Sequence, residues 1–151
     1  TADPRMRGGF LNIGLDTTRN DLARATFEGV ALNLRWMRKP VESFVKRRFS
    51  HFVFYGGGAA SDVWSQVMAD VLGSPVHQLD QPGFANSLGT AMFGLERLGI
   101  VDAAEVGERI TVRKVHDPDP ALRDLYDERA GVFTDAFKRV RPLSRRLNKG
   151  R

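Results

Sequence analysis

The segment Phe52-Val53-Phe54-Tyr55-Gly56-Gly57-Gly58-Ala59-Ala60-Ser61-Asp62-Val63-Trp64 passes from an apolar β-type run, through three consecutive glycines, to a helix start. Three missing Cβ atoms let the backbone take φ > 0 and let a ligand lie directly against the main chain. The helix that follows points unpaired N–H groups back at the same spot, where an anion or the polar edge of a ring can be held. Strand, glycine turn and helix N-terminus together form the local architecture of a nucleotide pocket in α/β proteins.

Three readings of these glycines compete. Gly56-x-Gly58-x-x-Ser61 approximates the dinucleotide fingerprint, and Asp80, after the next strand, stands near the position of the ribose-binding acid. Against a Rossmann-type module, Ser61 replaces the third glycine, and a long helix precedes the strand. A tight turn without ligand is the second reading, but each ordered glycine costs roughly 0.5–1 kcal/mol relative to alanine, and a simple turn rarely needs three. No Gly-Lys-Ser/Thr follows, so the segment is not a P-loop. The third reading is a nucleoside pocket of another class.

Few other residues offer chemistry. His51, His77 and His116 are scattered, with no companion at metal-ligand spacing. Asp16, Asp21, Glu28 and Asp70 read as caps or solvated helix positions. Trp36 and Trp64 fall on helical stripes and read as core, with Trp64, one turn past the glycines, able to shape the pocket from behind.

The elements that must position the glycines are legible from periodicity. Gly8 to Leu15 reads as an extended segment ending in a turn at Asp16-Thr17-Thr18. Thr18 with Asp21 forms a capping-box pattern. Leu22, Ala25, Thr26, Gly29, Leu32, Asn33 and Trp36 then share one face of a long helix, which Pro40 is expected to end or kink near Lys39. A second short helix is expected from Val41 to Arg48. Phe52 to Tyr55 reads as a buried strand. Ser61 or Asp62 caps the next helix, with its stripe at Val63/Trp64, Val67/Met68 and Val71/Leu72, and Gly73 and Pro75 stop it. Val76 to Leu79 is a second strand. A further helix follows Gly83 to Asn86, with Leu88, Met92, Leu95 and Leu98 inward. The final helix carries Leu122, Leu125, Tyr126, Ala130, Phe133 and Phe137. Strands alternating with helices predict an α/β layered fold, yet two strands and an extended start are too few for a covered parallel sheet. The chain reads as 1–151, a single partial domain.

The totals set the remaining bounds. At 151 residues, with 42% hydrophobic and 27% charged residues, the chain has an ordinary globular composition. No apolar run approaches the roughly 20 residues of a membrane helix, and the start lacks the apolar stretch of a secretory signal. Without cysteine there are no disulfides, no thiolate chemistry and no Cys-based zinc site. The cytoplasm is the simplest compartment. The net charge of +5 gathers partly in the tail 138–151, where Lys138, Arg139, Arg141, Arg145, Arg146, Lys149 and Arg151 have no acidic neighbour. A basic nucleic-acid-binding module is the alternative this raises, but Phe137 alone supplies an aromatic, and the tail reads as a solvated, frayed end.

Two stretches carry a family resemblance. Gly56 to Trp64, continuing through Met68-Ala69-Asp70-Val71-Leu72-Gly73-Ser74-Pro75-Val76, resembles the adenosine-binding segment of FGGY carbohydrate kinases, xylulokinases especially. Arg7-Gly8-Gly9-Phe10-Leu11-Asn12-Ile13-Gly14-Leu15, after Asp3-Pro4 and before Thr18-Arg19 and Asp21 to Gly29, resembles the family's C-terminal signature, with Asn12 in place of a glycine. Ala85-Asn86-Ser87-Leu88-Gly89-Thr90-Ala91 is similar to the segment after the family's second strand. The agreement runs in the family's order over residues 3 to 100.

The resemblance implies an actin-like, ribonuclease-H-like α/β fold whose two domains close over ATP, Mg2+ and a sugar. It implies transfer of the γ-phosphoryl group to a sugar hydroxyl. Gly56, Gly57 and Gly58 would line the adenosine and α-phosphate side, with Ser61 and Asp62 beside the adenine. It also implies that the catalytic aspartate, most sugar contacts and the hairpin around the β- and γ-phosphates belong to segments before Thr1. No catalytic residue or metal ligand is therefore expected in this chain, and the chain is expected to need that half or to self-associate through its open sheet edge.

Overall fold

A computed structural model describes residues 3–102, Glu105 and 110–149. Arg151, counted in the basic tail, lies outside them. The elements are α1 (Arg19–Val45), β1 (Phe52–Phe54), α2 (Asp62–Leu72), β2 (Val76–Leu79), α3 (Ala85–Arg97), β3 (Val112–His116) and α4 (Arg123–Leu147). Short 3-10 turns cover Gly57–Ala60, Pro82–Phe84 and Pro120–Leu122.

The strands form one sheet in the order β1-β2-β3. β1 and β2 are parallel, Phe52 opposite Val76 and Phe54 opposite Gln78, with α2 as the crossover a parallel pair requires. β3 lies antiparallel to β2, with His116 opposite Val76. β3 is a strand beyond the two expected from the sequence.

α2 is the central element. Seven of its eleven residues are buried, which only a helix covered on opposite sides achieves. Val67, Met68, Val71 and Leu72 join Ala31 and Leu32 of α1, Val76 of β2 and Tyr126 of α4 in the core. The ends of α2 form as expected. Ser61 Oγ accepts from the Trp64 N–H at 3.2 Å, and Gly73 closes the helix in the left-handed region at φ 61°. At the start of α1, Thr18 and Asp21 exchange the two capping-box bonds.

Several expectations are corrected. α1 runs through Pro40 to Val45, so there is no separate helix from Val41 to Arg48. An interior proline costs about 3 kcal/mol or more, and tertiary links offset it here. Across the proline, Glu42 Oε1 accepts from Arg38 Nε and from the Phe49 N–H, each at 2.8 Å. The Arg38 Nη1 group also donates to Leu72 O and Ser74 Oγ. The basic tail from Lys138 is helical through Leu147 rather than frayed, and Arg141 and Arg145 both hold Asp3 at 2.8 Å, bracketing Pro142. Gly8 to Leu15 is irregular chain ending in a turn at Leu15-Asp16, as read, though its Phe10, Leu11, Ile13 and Leu15 are exposed. β1 is half-exposed rather than buried, and α3 buries none of its residues, so Leu88 and Leu98 face outward within the described chain. Glu28 and Asp70 are buried rather than solvated. Tyr126 Oη donates to Glu28 Oε1 at 3.0 Å, and the Asp119 N–H donates to Asp70 Oδ1 at 2.9 Å.

Candidate functional site

Gly56 leaves β1 at φ 88° and ψ −179°, a conformation that only glycine adopts readily. Its N–H donates to Pro82 O at 2.8 Å, fastening the glycine turn to the turn before α3. The 3-10 turn is closed by the Ala59 N–H on Gly56 O at 3.0 Å and the Ser61 N–H on Gly58 O at 3.2 Å. Gly57 and Gly58 head that turn, so their N–H groups have no carbonyl one turn back within it.

The neighbouring glycines are bare for different reasons. A Cβ on Gly57 would meet nothing within 4 Å, and Gly57 is exposed. A Cβ on Gly58 would sit 2.4 Å from Trp64 Cζ3 and 2.7 Å from Cε3. At Gly58 the missing side chain makes room for the protein's own indole, whereas at Gly57 the space is open to a ligand. Trp64 is in turn stacked on Phe27 at 4.8 Å between centroids and touched edge-on by Phe54. Its Nε1–H is buried with no hydrogen-bond partner among the described residues.

Ser61 serves as the cap of α2, as its type predicts. Asp62, in the first turn of α2, has its Oδ1 at 3.1 Å from Gln78 Nε2 and 2.5 Å from Arg113 Nη2, and its Oδ2 at 3.3 Å from Lys114 Nζ. The Gln78 hydrogen bond, then that of Lys114, with both cationic charges, holds the Asp62 carboxyl below the usual carboxylate range. The side chain nevertheless remains 43% exposed.

Behind Asp62 lies a buried polar relay. Gln78 Nε2 donates to Ala59 O at 2.6 Å, and Gln78 Oε1 lies 3.0 Å from His116 Nε2. His116 Nδ1 is 3.3 Å from Gln66 Oε1, and the Gln66 amide donates to Asp70 Oδ1 and Asp117 O. Since Gln78 Nε2 is committed to Ala59 and Asp62, Oε1 is the acceptor turned to His116, which assigns the proton of the neutral ring to Nε2. Burial, reinforced by the Lys114 charge, pushes the His116 pKa below its ordinary value. The unfolded chain therefore takes up a proton at a higher pH than the folded one, so this contribution to stability is complete above the ordinary imidazole range and declines as the pH falls through it. Urea midpoints measured from about pH 8 to about pH 5 should fall, and His116→Gln should flatten that slope.

The sequence reading does not single out Gln66, Gln78, Arg113 or Lys114, and it weighs His116 only as a metal ligand. The available signal was a lone glutamine inside the apolar strand Val76–Leu79, where a buried amide needs partners. Asp80, which the competing dinucleotide reading would make the ribose acid, places Oδ1 on its neighbour's N–H, that of Gln81 at 3.0 Å. His51 and His77, read as isolated, stack at 4.2 Å between ring centroids. No group of three metal-ligating side chains occurs among the described residues, nor does a helix there have the length and apolarity to cross a membrane. An apolar hollow of about 280 Å³ lies between α1 and β1, lined by Leu34, Met37, Phe52 and Val76 among others, and none of the glycine turn lines it. At the C-terminal end, Arg141 and Arg145 share the single Asp3 carboxylate and Lys138 pairs with Asp135.

The arrangement is similar to known proteins throughout. Residues 1–96 match the model of the FGGY family of carbohydrate kinases, C-terminal domain. A xylulose kinase of Staphylococcus epidermidis is 30% identical over 148 residues, covering 94% of this chain and 29% of the relative. An autoinducer-2 kinase of Escherichia coli is 33% identical over 124 residues, covering 79% of this chain and 23% of the relative. Among solved structures, xylulose kinase from Rhodospirillum rubrum superposes with TM-score 0.77 at 30% identity, over 94% of this chain and 29% of that one. A kinase from Brucella ovis, described as a xyloylose kinase, gives TM-score 0.81 at 24% identity, over 93% and 29% of the two chains. The chain thus spans less than a third of these relatives, and its fold is the C-terminal part of their actin-like, ribonuclease-H-like architecture. The antiparallel β3 beside β2 also departs from the parallel unit a dinucleotide fingerprint requires. Glycine turn, capped α2 and ordered match together assign it: the chain belongs to the FGGY family of carbohydrate kinases, within that family's C-terminal domain.

Proposed function

We propose that the protein acts as an ATP-dependent sugar kinase on xylulose or a related ketose or polyol, with this chain forming the adenosine side of the cleft. What chiefly supports the reading is the ordered match of residues 1–96 to the family's C-terminal domain, joined by the open main chain at Gly57. The names of the relatives, xylulose kinase and autoinducer-2 kinase, point to a small sugar-like substrate. An ATP-consuming reaction of this kind belongs in the cytoplasm.

The residues present fit an adenine nucleotide. Gly56 and Gly57 offer bare backbone, Gly57 and Gly58 supply N–H groups at the head of the turn, and Ser61 keeps α2 in register with them. Asp62 can accept a hydrogen bond from an amino group but, as a carboxylate, cannot donate to a ring nitrogen. When bound, ATP with Mg2+ supplies the phosphoryl group and neutralises its charge. The chain's own contribution is binding and orientation, and phosphoryl transfer depends almost wholly on positioning and charge stabilisation. The chain spans less than a third of the kinases it matches, so this chain alone is expected to be inactive.

The full-length protein, given ATP-Mg and xylulose, should release ADP in step with sugar consumption, while the isolated chain should not exceed buffer. Absence of sugar-dependent ADP release across a panel of ketoses and polyols would overturn the reading. Sugar phosphorylation by the isolated chain would overturn the division of labour.

A further inference from the structure

We propose that Gln78 is the positioning residue of the nucleotide side, setting the glycine turn and the start of α2 against the sheet. The inference rests on the nucleotide reading of that turn. Gln78 is fully buried on β2, between Val76 and Leu79 of the same short strand. An apolar side chain could fill such a slot without the desolvation cost of an amide. What distinguishes glutamine is what it grips. Its Nε2 donates both to Ala59 O at 2.6 Å, inside the 3-10 turn, and to Asp62 Oδ1 at 3.1 Å, in the first turn of α2. These two points flank Ser61 and follow directly on Gly57 and Gly58.

The amide cannot turn over. A flip would set Oε1 against Ala59 O and the Asp62 carboxylate, and would remove the acceptor that faces His116 Nε2 at 3.0 Å. His116 Nδ1 lies 3.3 Å from Gln66 Oε1, an acceptor facing an acceptor in the Nε2–H tautomer, so the ring is held through its Nε2–H on Gln78. His116 on β3 therefore fixes the Gln78 amide, and Gln78 passes that position from the sheet to the turn. Gln78 touches no open space and acts on a nucleotide only through the Gly57 backbone it places.

The test is calorimetric titration of the full-length protein with ADP-Mg, with KM for xylulose as the companion measurement. Gln78→Met keeps an unbranched side chain of similar length and removes the three hydrogen bonds. It should weaken ADP-Mg by about tenfold or more while leaving KM for xylulose within about twofold. An ADP-Mg loss of less than about threefold overturns the positioning role and leaves the nucleotide reading intact. Equal losses for both ligands also overturn it, since they mark general loosening. If Gln78→Met does not fold, His116→Leu leaves Gln78 in place but ungoverned at Oε1, and should still weaken ADP-Mg selectively; unchanged affinity then overturns the proposal. Wild-type protein that binds no ADP-Mg overturns the nucleotide reading itself, and the proposal with it.

Discussion

Gly57→Val should leave the unfolding midpoint near that of the wild type while weakening ADP-Mg by about tenfold or more, and Gly58→Ala should do the reverse. The contrast follows from what each missing side chain leaves behind. At Gly57 a side chain would project into open space, so it disturbs no packing but occupies the volume assigned to the nucleotide. At Gly58 even a methyl group would lie 2.4 Å from the Trp64 ring. That ring cannot retreat, because Phe27 is stacked on it and Phe54 abuts it. Overpacking of this kind typically costs about 1–3 kcal/mol. Trp64→Leu, destabilising alone, should recover part of the Gly58→Ala loss, with a coupling of about 1 kcal/mol. Denaturant unfolding measures one arm and calorimetry the other. Wild-type ADP-Mg affinity in Gly57→Val would remove the nucleotide from this turn, and an unchanged midpoint in Gly58→Ala would remove Trp64 as the reason for that glycine.

Tyr126→Ala should be the most damaging single truncation, costing about 3–5 kcal/mol in denaturant unfolding. Tyr126 is the largest fully buried side chain among the described residues, at 1% exposure, and joins α4 to the core of α1 and α2. Its hydroxyl accepts from Arg24 Nη2 at 2.9 Å and donates to Glu28 Oε1 at 3.0 Å. Burial raises the phenol pKa, so it remains a donor across the neutral range. Tyr126→Phe keeps the ring and should cost only about 1 kcal/mol, since Arg24 and Arg129 still satisfy Glu28. A Tyr126→Ala loss no greater than that of Tyr126→Phe would place the α4 contribution in the hydrogen bonds rather than in the packing.

The parts legible in the sequence are those governed by neighbours in the chain. The Thr18–Asp21 box, the Ser61 cap and Gly73 each act within one turn, and the starts and stops of α1 and α2 follow from them. Val76–Leu79 was readable because an apolar run between Pro75 and Asp80 has little alternative. The elements missed depend on distant partners. Pro40 gives a strong local signal to stop, and its reversal needs Phe49 and Leu72 to meet Glu42 and Arg38. β3 has four exposed residues and no period-two apolar face, so only its pairing with β2 and its contacts to Asp62 and Gln78 define it. The site divides in the same way. The glycines and Ser61 announce themselves by type, whereas the relay through Gln78, His116 and Gln66 draws on residues up to 50 positions apart.

The Trp64 ring lying against Gly58 makes the protein its own optical sensor. The chain holds two tryptophans, and the other, Trp36, sits between α1 and α4 against Phe133 and Phe137. A Trp36→Phe version would therefore emit from a single indole pressed on the backbone of the glycine turn. Any shift of that backbone alters the ring's surroundings, so the nucleotide binding proposed for this turn should register as a change in ultraviolet emission, without attaching a dye.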